Sequence, residues 1–283
     1  MSPGTLFVVA TPIGNLEDVT LRALRVLRQA HLIAAEDTRR TARLLAHHGI
    51  STPTTSFHEH NAHQRTPHLL ARMAAGQSVA LVTDAGTPGI SDPGAELVAA
   101  CRKADIPVDP VPGVSAPLTA ALASGFPMIP LTILGFPPHR SSDRNKWLAV
   151  LASIGHTATF FEAPHKIRRT LEDVSVLLVK RPIMIGRELT KLHQQFLFGD
   201  AAMLLEALKE PKGEFTVVVG PRDNSNDAAP PELSDVEVAR EFGRMTDDLG
   251  LTRRETIAEV ASKLGKSPRD VYAAVERAKK AGG

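Results

Sequence analysis

The stretch VTDAGTPGISDPG, Val82 to Gly94, decides how the rest of the sequence is interpreted. It follows the apolar run SVALV and contains three glycines, two prolines and two aspartates. Glycine lets a backbone approach a ligand closely because it has no Cβ, and proline fixes the path of a loop. Ligands bind open α/β sheets at loops that follow a strand and precede a helix. The stretch therefore predicts a ligand-binding loop at a strand end.

Short apolar strands alternate with helical patterns on both sides of this loop. The predicted strands are TLFVVA, HLIAAE, TTSF, SVALV and PVDPV, and the last has too many prolines for a central strand. Among the helices between them, HQRTPHLLARMAAG should begin near Pro67, because proline suits the first turn of a helix. This alternation predicts a parallel α/β layer.

The pattern restarts after Pro127 to Pro130. LTILGF, TATFFEA, RPIMIGREL, QQFLFGD and GEFTVVVG predict the strands of a mixed sheet, and PPHRSSDR predicts a polar loop before the helix KWLAVLASIG. A polar, proline-containing linker and three helical patterns follow, the last two joined by a glycine turn with Ser267 as N-cap, which is a helix-turn-helix outline. We expect an α/β domain at 1–127, a second at 128–222, a linker at 223–232 and a small helical domain at 233–283.

Composition limits the class of protein. The chain has 283 residues, a net charge of +2 and one cysteine, Cys101, which excludes an internal disulfide and a thiolate zinc site. No apolar run is long enough to cross a bilayer, and the N-terminus lacks the pattern of a secretory signal. These features predict a cytoplasmic protein without a membrane partner. Arginines cluster locally, and such clusters can bind phosphates even at a small net charge.

Several common site motifs are missing. The first strand is not followed by G-x-G-x-x-G, the Walker spacing fails at Gly265 to Ser267, and there is no G-x-S-x-G elbow. His58 and His60 lie in a histidine-rich stretch. Loop histidines are often solvated, so we expect no metal there and favour a role in holding nucleic acid.

Taken together, eight motifs resemble the tetrapyrrole methylase superfamily, and within it the branch that methylates ribose in small-subunit ribosomal RNA. They are TPIGNLED, AAEDTRRTARLL, TDAGTPGISDPG, PVPGVSAPLTAA, LGFPP, FFEAPHKI, GRELTK and KGEFTVVV, and they cover residues 5 to about 220. Gly86-Thr87-Pro88 stands where the wider superfamily often has G-D-P, which favours the ribosomal branch.

The resemblance implies two α/β domains with S-adenosylmethionine in the cleft between them, and a homodimer. It implies methyl transfer to the 2′-oxygen of a cytidine in the decoding region of 16S rRNA, with rRNA or the 30S subunit as partner. Carried over onto this sequence, the cofactor-binding residues are Pro12, Gly86, Thr87, Pro88, Ile90, Ser115, Ala116, Phe161, Glu162, Ala163, Leu189, Glu214, Phe215 and Thr216.

A ribose hydroxyl is a very weak acid, so a base or a nearby cation should help it lose its proton. Polar residues just after strands are the candidates, and Glu36 and Glu188 are among them. The hypothesis for the catalytic set is Asp37, Arg39, Lys166 and Arg187, although a carboxylate such as Asp37 could equally be a helix N-cap. The hypothesis for RNA binding is Arg40, Arg43, His58, His60, Arg253 and Arg254.

Two other functions remain open at this point. A methylase of a tetrapyrrole-like small molecule would need a roomy apolar cleft and no helical appendage. A non-enzymatic RNA-binding assembly factor would use the helix-turn-helix, but it would not need three Gly/Pro loops at strand ends.

Overall fold

The computed structural model describes residues 2–89, 94–209, 211–222, 252–264 and 268–281, together with Val238, Ala239, Phe242, Gly243 and Thr246. Contacts divide the chain into two compact units, Met1–Arg222 and Asp223–Gly283. Within the first unit we call the part that carries the first sheet the first lobe, and the part that carries the second sheet the second lobe. The expected linker at 223–232 lies outside the described residues.

The first lobe contains a five-stranded sheet in the order β3-β2-β4-β1-β5. Its strands are β1 Leu6–Val9, β2 Leu32–Ala35, β3 Thr54–Ser56, β4 Val79–Val82 and β5 Val108–Val111. All neighbours pair in parallel, which confirms the predicted layer. The proline-rich β5 lies at the sheet edge, as expected of a strand that lacks one ladder donor at Pro110.

Helices connect these strands. They are α1 Leu21–Gln29, preceded by a short 3-10 helix at Leu16–Asp18, then α2 Thr38–His47, α3 Ala62–Ala74, α4 Ala95–Lys103 and α5 Ala116–Ser124. Two hydrophobic clusters, one around Leu81 and one around Val82, pack on opposite faces of the sheet. Every residue of β2 and β4 is buried, because a parallel sheet covered on both faces needs continuous apolar strands.

The predicted start of α3 is wrong. The helix begins at Ala62, and Pro67 lies inside it. A turn before the helix explains the early start: the Asn61 side chain accepts a hydrogen bond from the backbone N–H of His58, and the N–H of Ala62 donates to the carbonyl of His58. Pro67 then removes only one backbone donor from a helix that is already nucleated.

The second lobe contains a mixed sheet in the order β6-β7-β10-β8-β9. Its strands are β6 Leu131–Ile133, β7 Thr157–Glu162, β8 Ile183–Arg187, β9 Gln195–Gly199 and β10 Phe215–Val219, and its helices are α6 Ser141–Ser153, α7 Ile167–Leu177 and α8 Ala201–Ala207. Only β6 and β7 pair in parallel among these strands, so the predicted mixed sheet is confirmed.

The start of α6 also differs from the prediction. The stretch SSDR forms the first turn of α6 and is not loop. Arg144 explains this, because it is only 5% exposed and its guanidinium binds Asp173 of α7. Arg144, which in the sequence indicates a polar loop, is therefore an inward-facing residue of a helix.

The second unit is described mainly at two helices, Arg253–Leu264 and Pro268–Ala281. They pack together through a small core that includes Val260, Val271 and Val275. The expected glycine turn and the Ser267 N-cap lie outside the described residues. Across the part of the chain that the structure describes, no helix is long and apolar enough to cross a membrane.

Candidate active site

Three loops of the first lobe are tied together at the carboxyl ends of β1, β4 and β5. Thr11 and Gly86 exchange two backbone hydrogen bonds of 2.9 and 3.0 Å, and the Thr11 hydroxyl donates to the carbonyl of Thr83. The Thr87 hydroxyl donates to the carbonyl of Val114. The loops meet because parallel strands end at the same edge of their sheet. The backbone N–H and C=O of Gly86 are therefore bonded to Thr11, and the role of Gly86 in holding a ligand stays a prediction.

The second lobe brings three of its motifs to the same place. β10 runs antiparallel to β7 and β8, so its first residue, Phe215, lies beside the last residues of both, Glu162 and Arg187. Antiparallel pairing thus joins KGEFT, FFEAP and GREL at one sheet edge, although they are far apart in sequence.

The two lobes touch at Gly14. The backbone N–H of Asn15 donates to the Thr190 hydroxyl, and a Cβ added at Gly14 would lie 2.5 Å from the Lys191 Cγ and 2.9 Å from the Leu189 carbonyl oxygen. Only glycine fits a loop that is approached this closely by another. The segment after β8 is thereby held against the loop after β1.

A cavity of about 350 Å³ lies between the lobes. Ten of the fourteen residues predicted to bind the cofactor line it, namely Gly86, Thr87, Ser115, Ala116, Phe161, Glu162, Ala163, Glu214, Phe215 and Thr216. The lining is mostly apolar, with the Phe136 and Phe161 rings 5.1 Å apart. The buried Ser115 hydroxyl has no hydrogen-bond partner among the described residues.

A second cavity of about 360 Å³ adjoins the first and shares Ile13, Asp84, Ala85 and Glu214 with it. Its remaining lining is more polar and comprises Thr11, Pro12, Gly14, Leu16, Arg40, Thr41, Arg43, Leu44, Thr83 and Lys191. Lys191 binds Glu188 and Glu214, and Arg40 lies 3.4 Å from Asp84. Arg43 has no ion pair with any residue that the structure describes, so its charge is available to a ligand.

The ends of β2 and β4 are joined by a chain of carboxylates. The Glu36 Oε2 accepts from the backbone N–H of Asp84, and the Asp84 Oδ1 accepts from the backbone N–H of Asp37. Asp37 caps α2 and accepts from both the backbone and the guanidinium of Arg39. These hydrogen bonds lower the pKa of Asp37 to about 2, whereas burial raises the pKa of Glu36 above its ordinary value of 4.5.

The four predicted catalytic residues line neither cavity. Asp37 and Arg39 bind each other, and the Arg39 side chain is 88% exposed. Lys166 lies at the start of α7, where its ammonium is 2.6 Å from the His139 Nδ1. Arg187 donates to the carbonyl of Lys212. Their catalytic role stays a prediction, and the geometry gives the Asp37 carboxylate the capping role that the sequence left open.

Four predicted cofactor residues fall elsewhere. Pro12 lines the second cavity, and Leu189 packs in a small core with Ile13 and Met184. Pro88 is half-buried and lines neither cavity. Ile90 lies outside the described residues.

The predicted RNA-binding residues are scattered. Arg40 and Arg43 line the second cavity. His58 and His60 lie next to each other before α3, where the His58 ring contacts Asn61. Arg253 forms an ion pair with Glu276 and stacks on Tyr272, while the side chain of Arg254 is outside the described part. The described residues contain no group of three or more His, Cys, Asp or Glu that could hold a metal ion.

Sequence reasoning missed several cavity residues. Phe136, Asp84 and Lys191 belong to the motifs LGFPP, TDAGT and GRELTK. The motifs therefore located these parts of the cavity wall, although other residues of the same motifs were predicted to be functional. Glu36, a polar residue directly after a predicted strand, also lines the first cavity, whereas its neighbour Asp37 does not.

The sequence that forms this cleft matches a known protein family. The family model described as Tetrapyrrole (Corrin/Porphyrin) Methylases matches residues 5–205. The chain belongs to the tetrapyrrole methylase family. The match includes both sheets up to α8, and thus all segments of the cleft except β10 and the residues before it.

Curated relatives of this tetrapyrrole methylase match between 77% and 97% of its length. A protein of Synechocystis sp. named ribosomal RNA small subunit methyltransferase I is 43% identical over 275 residues, which are 95% of this chain and 96% of the relative. A protein of the same name from Thermotoga maritima is 44% identical over 222 residues, which are 78% of this chain and 100% of the relative.

Solved structures share the fold at lower identity. Uroporphyrin-III C-methyltransferase from Thermus thermophilus superposes with a TM-score of 0.55 at 21% identity, covering 77% of this chain and 94% of that one. Diphthine synthase gives 0.63 at 14% identity, covering 77% of this chain and 90% of that one. These likenesses support the two-lobed fold of the tetrapyrrole methylase.

Proposed function

We propose that this protein is an S-adenosylmethionine-dependent methyltransferase that modifies small-subunit rRNA at the 2′-oxygen of a cytidine in the decoding region. One observation carries the proposal: relatives named ribosomal RNA small subunit methyltransferase I match 95% of the chain at more than 40% identity. The cavity between the lobes supports it, because a methyl donor and an acceptor need a shared, enclosed site.

The first cavity suits S-adenosylmethionine. Its aromatic and apolar lining can take the adenine ring, and the unpartnered Ser115 hydroxyl can bond a polar group of the ligand. We infer that Gly86, Thr87, Ser115, Ala116, Phe161 and Phe215 form the contact surface. The cofactor supplies an electrophilic methyl group on a positively charged sulfur.

The second cavity suits the acceptor. It opens beside the first and carries the cations Arg40, Arg43 and Lys191 on its lining, a set that fits RNA phosphates. Arg43 is the strongest candidate, because Arg40 and Lys191 are already partly neutralised by carboxylates. The acceptor nucleotide would thus lie across the shared residues Asp84 and Glu214.

Placement supplies much of the rate in such a reaction. In-line displacement needs no covalent enzyme intermediate, so the residues around the cleft bind and align the two reactants and exclude water. The contact at Gly14 keeps the lobes at a fixed spacing, and the hydrogen bonds among Thr11, Thr87 and their partners stiffen the cavity wall. A base at the cleft then takes the proton of the acceptor hydroxyl.

The wider setting follows from the same proposal. The substrate would be rRNA or the 30S subunit in the cytoplasm, and the protein would act as a homodimer. We propose that 1–127, 128–222 and 233–283 are the functional domains and that the helical domain at 233–283 binds the large substrate. We also propose that His58, His60, Arg253 and Arg254 contact RNA.

Two measurements test the proposal. Calorimetry with S-adenosylmethionine should show binding at one site per chain, which a non-enzymatic assembly factor would lack. The purified protein should then methylate 30S subunits or 16S rRNA from a strain that lacks the corresponding gene, and mass spectrometry of nuclease fragments should find the methyl group on a cytidine ribose. Methylation of uroporphyrinogen III with unmodified rRNA would establish the small-molecule alternative instead.

A further inference from the structure

Four carboxylates border the cofactor cavity, namely Glu36, Asp84, Glu162 and Glu214. A general base needs an oxygen that is free to accept the proton and a position within reach of the acceptor. The hydrogen bonds of each carboxylate therefore decide which one can serve.

Two of these carboxylates have both oxygens engaged, and a third is exposed and ion-paired. Asp84 uses one oxygen for the N–H of Asp37 and the other for Arg40. Glu162 is 3% exposed and uses its two oxygens for the N–H of Ala163 and the hydroxyl of Thr170. Glu214 has only its Oε2 engaged, by Lys191, but its side chain is 67% exposed and so lies mainly in solvent beside a cation.

Glu36 is different. Its Oε2 accepts from the N–H of Asp84, which fixes the side chain, and its Oε1 has no hydrogen bond to any residue that the structure describes. It follows β2 directly and lines the cavity from the first lobe, next to Asp84, which is one of the residues shared with the second cavity. We propose that Glu36, held by the Asp84 backbone, is the general base that takes the proton from the acceptor hydroxyl. This inference rests on the proposed function.

The chemical step balances with this assignment. The acceptor oxygen forms a bond to the methyl carbon while the carbon–sulfur bond breaks, and the sulfur keeps the bonding pair and loses its positive charge. The hydroxyl proton passes to Glu36 Oε1 and from there to solvent. No metal, oxidant or further co-reactant is needed.

The surroundings of Glu36 predict a pH dependence. Burial raises its pKa, and the neighbouring carboxylates Asp84 and Asp37 act in the same direction, while the N–H of Asp84 and the guanidinium of Arg40 oppose them. Glu162 and Glu214 face the same cavity from the second lobe. Because only ionised Glu36 accepts a proton, the methylation rate should fall as the pH drops through a pKa above 4.5.

The decisive variant is Glu36→Gln, which keeps the size and the acceptor oxygen for Asp84 but cannot take a proton. We expect unchanged affinity for S-adenosylmethionine by calorimetry and for rRNA by filter binding. The single-turnover rate should fall by roughly 100-fold or more, the contribution typical of a general base. The acid limb of the pH profile should disappear, and Glu36→Asp should restore part of the rate. The exposed Glu96→Gln, on α4, is the matched control for loss of one charge.

A second readout does not depend on turnover. The Glu36 carboxyl, assigned by its loss in Glu36→Gln, should titrate above 4.5 in a carbon-13 NMR titration of the protein alone. A Glu36→Gln enzyme within about threefold of the wild-type rate overturns the assignment while the proposed function stands. Loss of cofactor binding in Glu36→Gln also overturns it, because the side chain would then be a binding residue. A wild type that binds the cofactor but methylates no rRNA overturns the proposed function and this inference together.

Discussion

Gly86 acts through its backbone geometry. Its φ of +80° lies in the left-handed region, and an added Cβ would be 3.5 Å from Ile13, an ordinary contact. The cost of Gly86→Val within the protein is therefore strain at φ, about 1–2 kcal/mol, and a weaker bridge to Thr11, rather than a clash with Ile13. We expect a folded protein with roughly tenfold weaker cofactor binding, measured by calorimetry. Gly155→Val, at an open position with no positive φ, is the control. Equal affinities for the two variants would contradict this role for Gly86.

Sequence motifs identified the cavity wall but not the roles of its charges. Gly86, Ser115 and Phe215 were predicted because glycine loops and family motifs mark strand ends. The pairing of Asp37 with Arg39 could not be predicted, since a residue after a strand may cap its helix or face the cleft. Hydrogen bonds between distant strand ends, as from Asp84 to Glu36, decide that choice, and the sequence does not show them.

At the scale of one element, α2 presents its charge to the second cavity. Arg43 lines that cavity without an ion pair among the described residues, whereas Arg39 is bound to Asp37. Arg43→Ala should weaken rRNA binding and lessen the slope of log affinity against log salt by about one contact. Cofactor affinity should not change. Arg39→Ala serves as comparison and should change the slope less, because its charge is already compensated. Equal slopes of log affinity against log salt for wild type and both variants would mean that α2 does not contact phosphate.

The pair α6 and α7 is joined through a buried charge. Arg144 donates to Asp173 and to the Thr170 hydroxyl, which in turn donates to Glu162 at the cavity. Arg144→Met leaves Asp173 unpaired and should lower the free energy of unfolding by about 2 kcal/mol, less than for a fully buried pair because Asp173 is partly exposed. Denaturant unfolding measures this. The exposed Arg140→Met, just before α6, should change stability little. If both variants unfold alike, the network adds nothing.

The boundaries of two helices could not be predicted from local sequence patterns. Short apolar runs predicted the strands of both sheets, and proline content argued against a central position for β5, which lies at the edge. The starts of α3 and α6 were wrong, because a side-chain turn at Asn61 and a distant partner for Arg144 extend those helices beyond their local signals. Both causes depend on tertiary contacts.

For the whole molecule, the first unit contains both cavities and every residue that lines them. The Thermotoga maritima relative matches over its entire length with only 78% of this chain. None of the described lining residues follows Arg222, so we propose that the residues after 222 serve the substrate rather than the cofactor.

Ending the chain at Pro231 tests that assignment. The truncated protein should bind S-adenosylmethionine within about twofold of the full chain, a difference of roughly 0.4 kcal/mol, because no cavity residue is lost. Methylation of rRNA should fall through a higher KM at similar kcat, the pattern expected when binding contacts outside the reacting centre are removed. Calorimetry and steady-state kinetics on the same preparations separate the two effects. Loss of cofactor binding would mean that residues 232–283 complete the first unit, whereas unchanged KM and kcat would mean that they serve neither ligand.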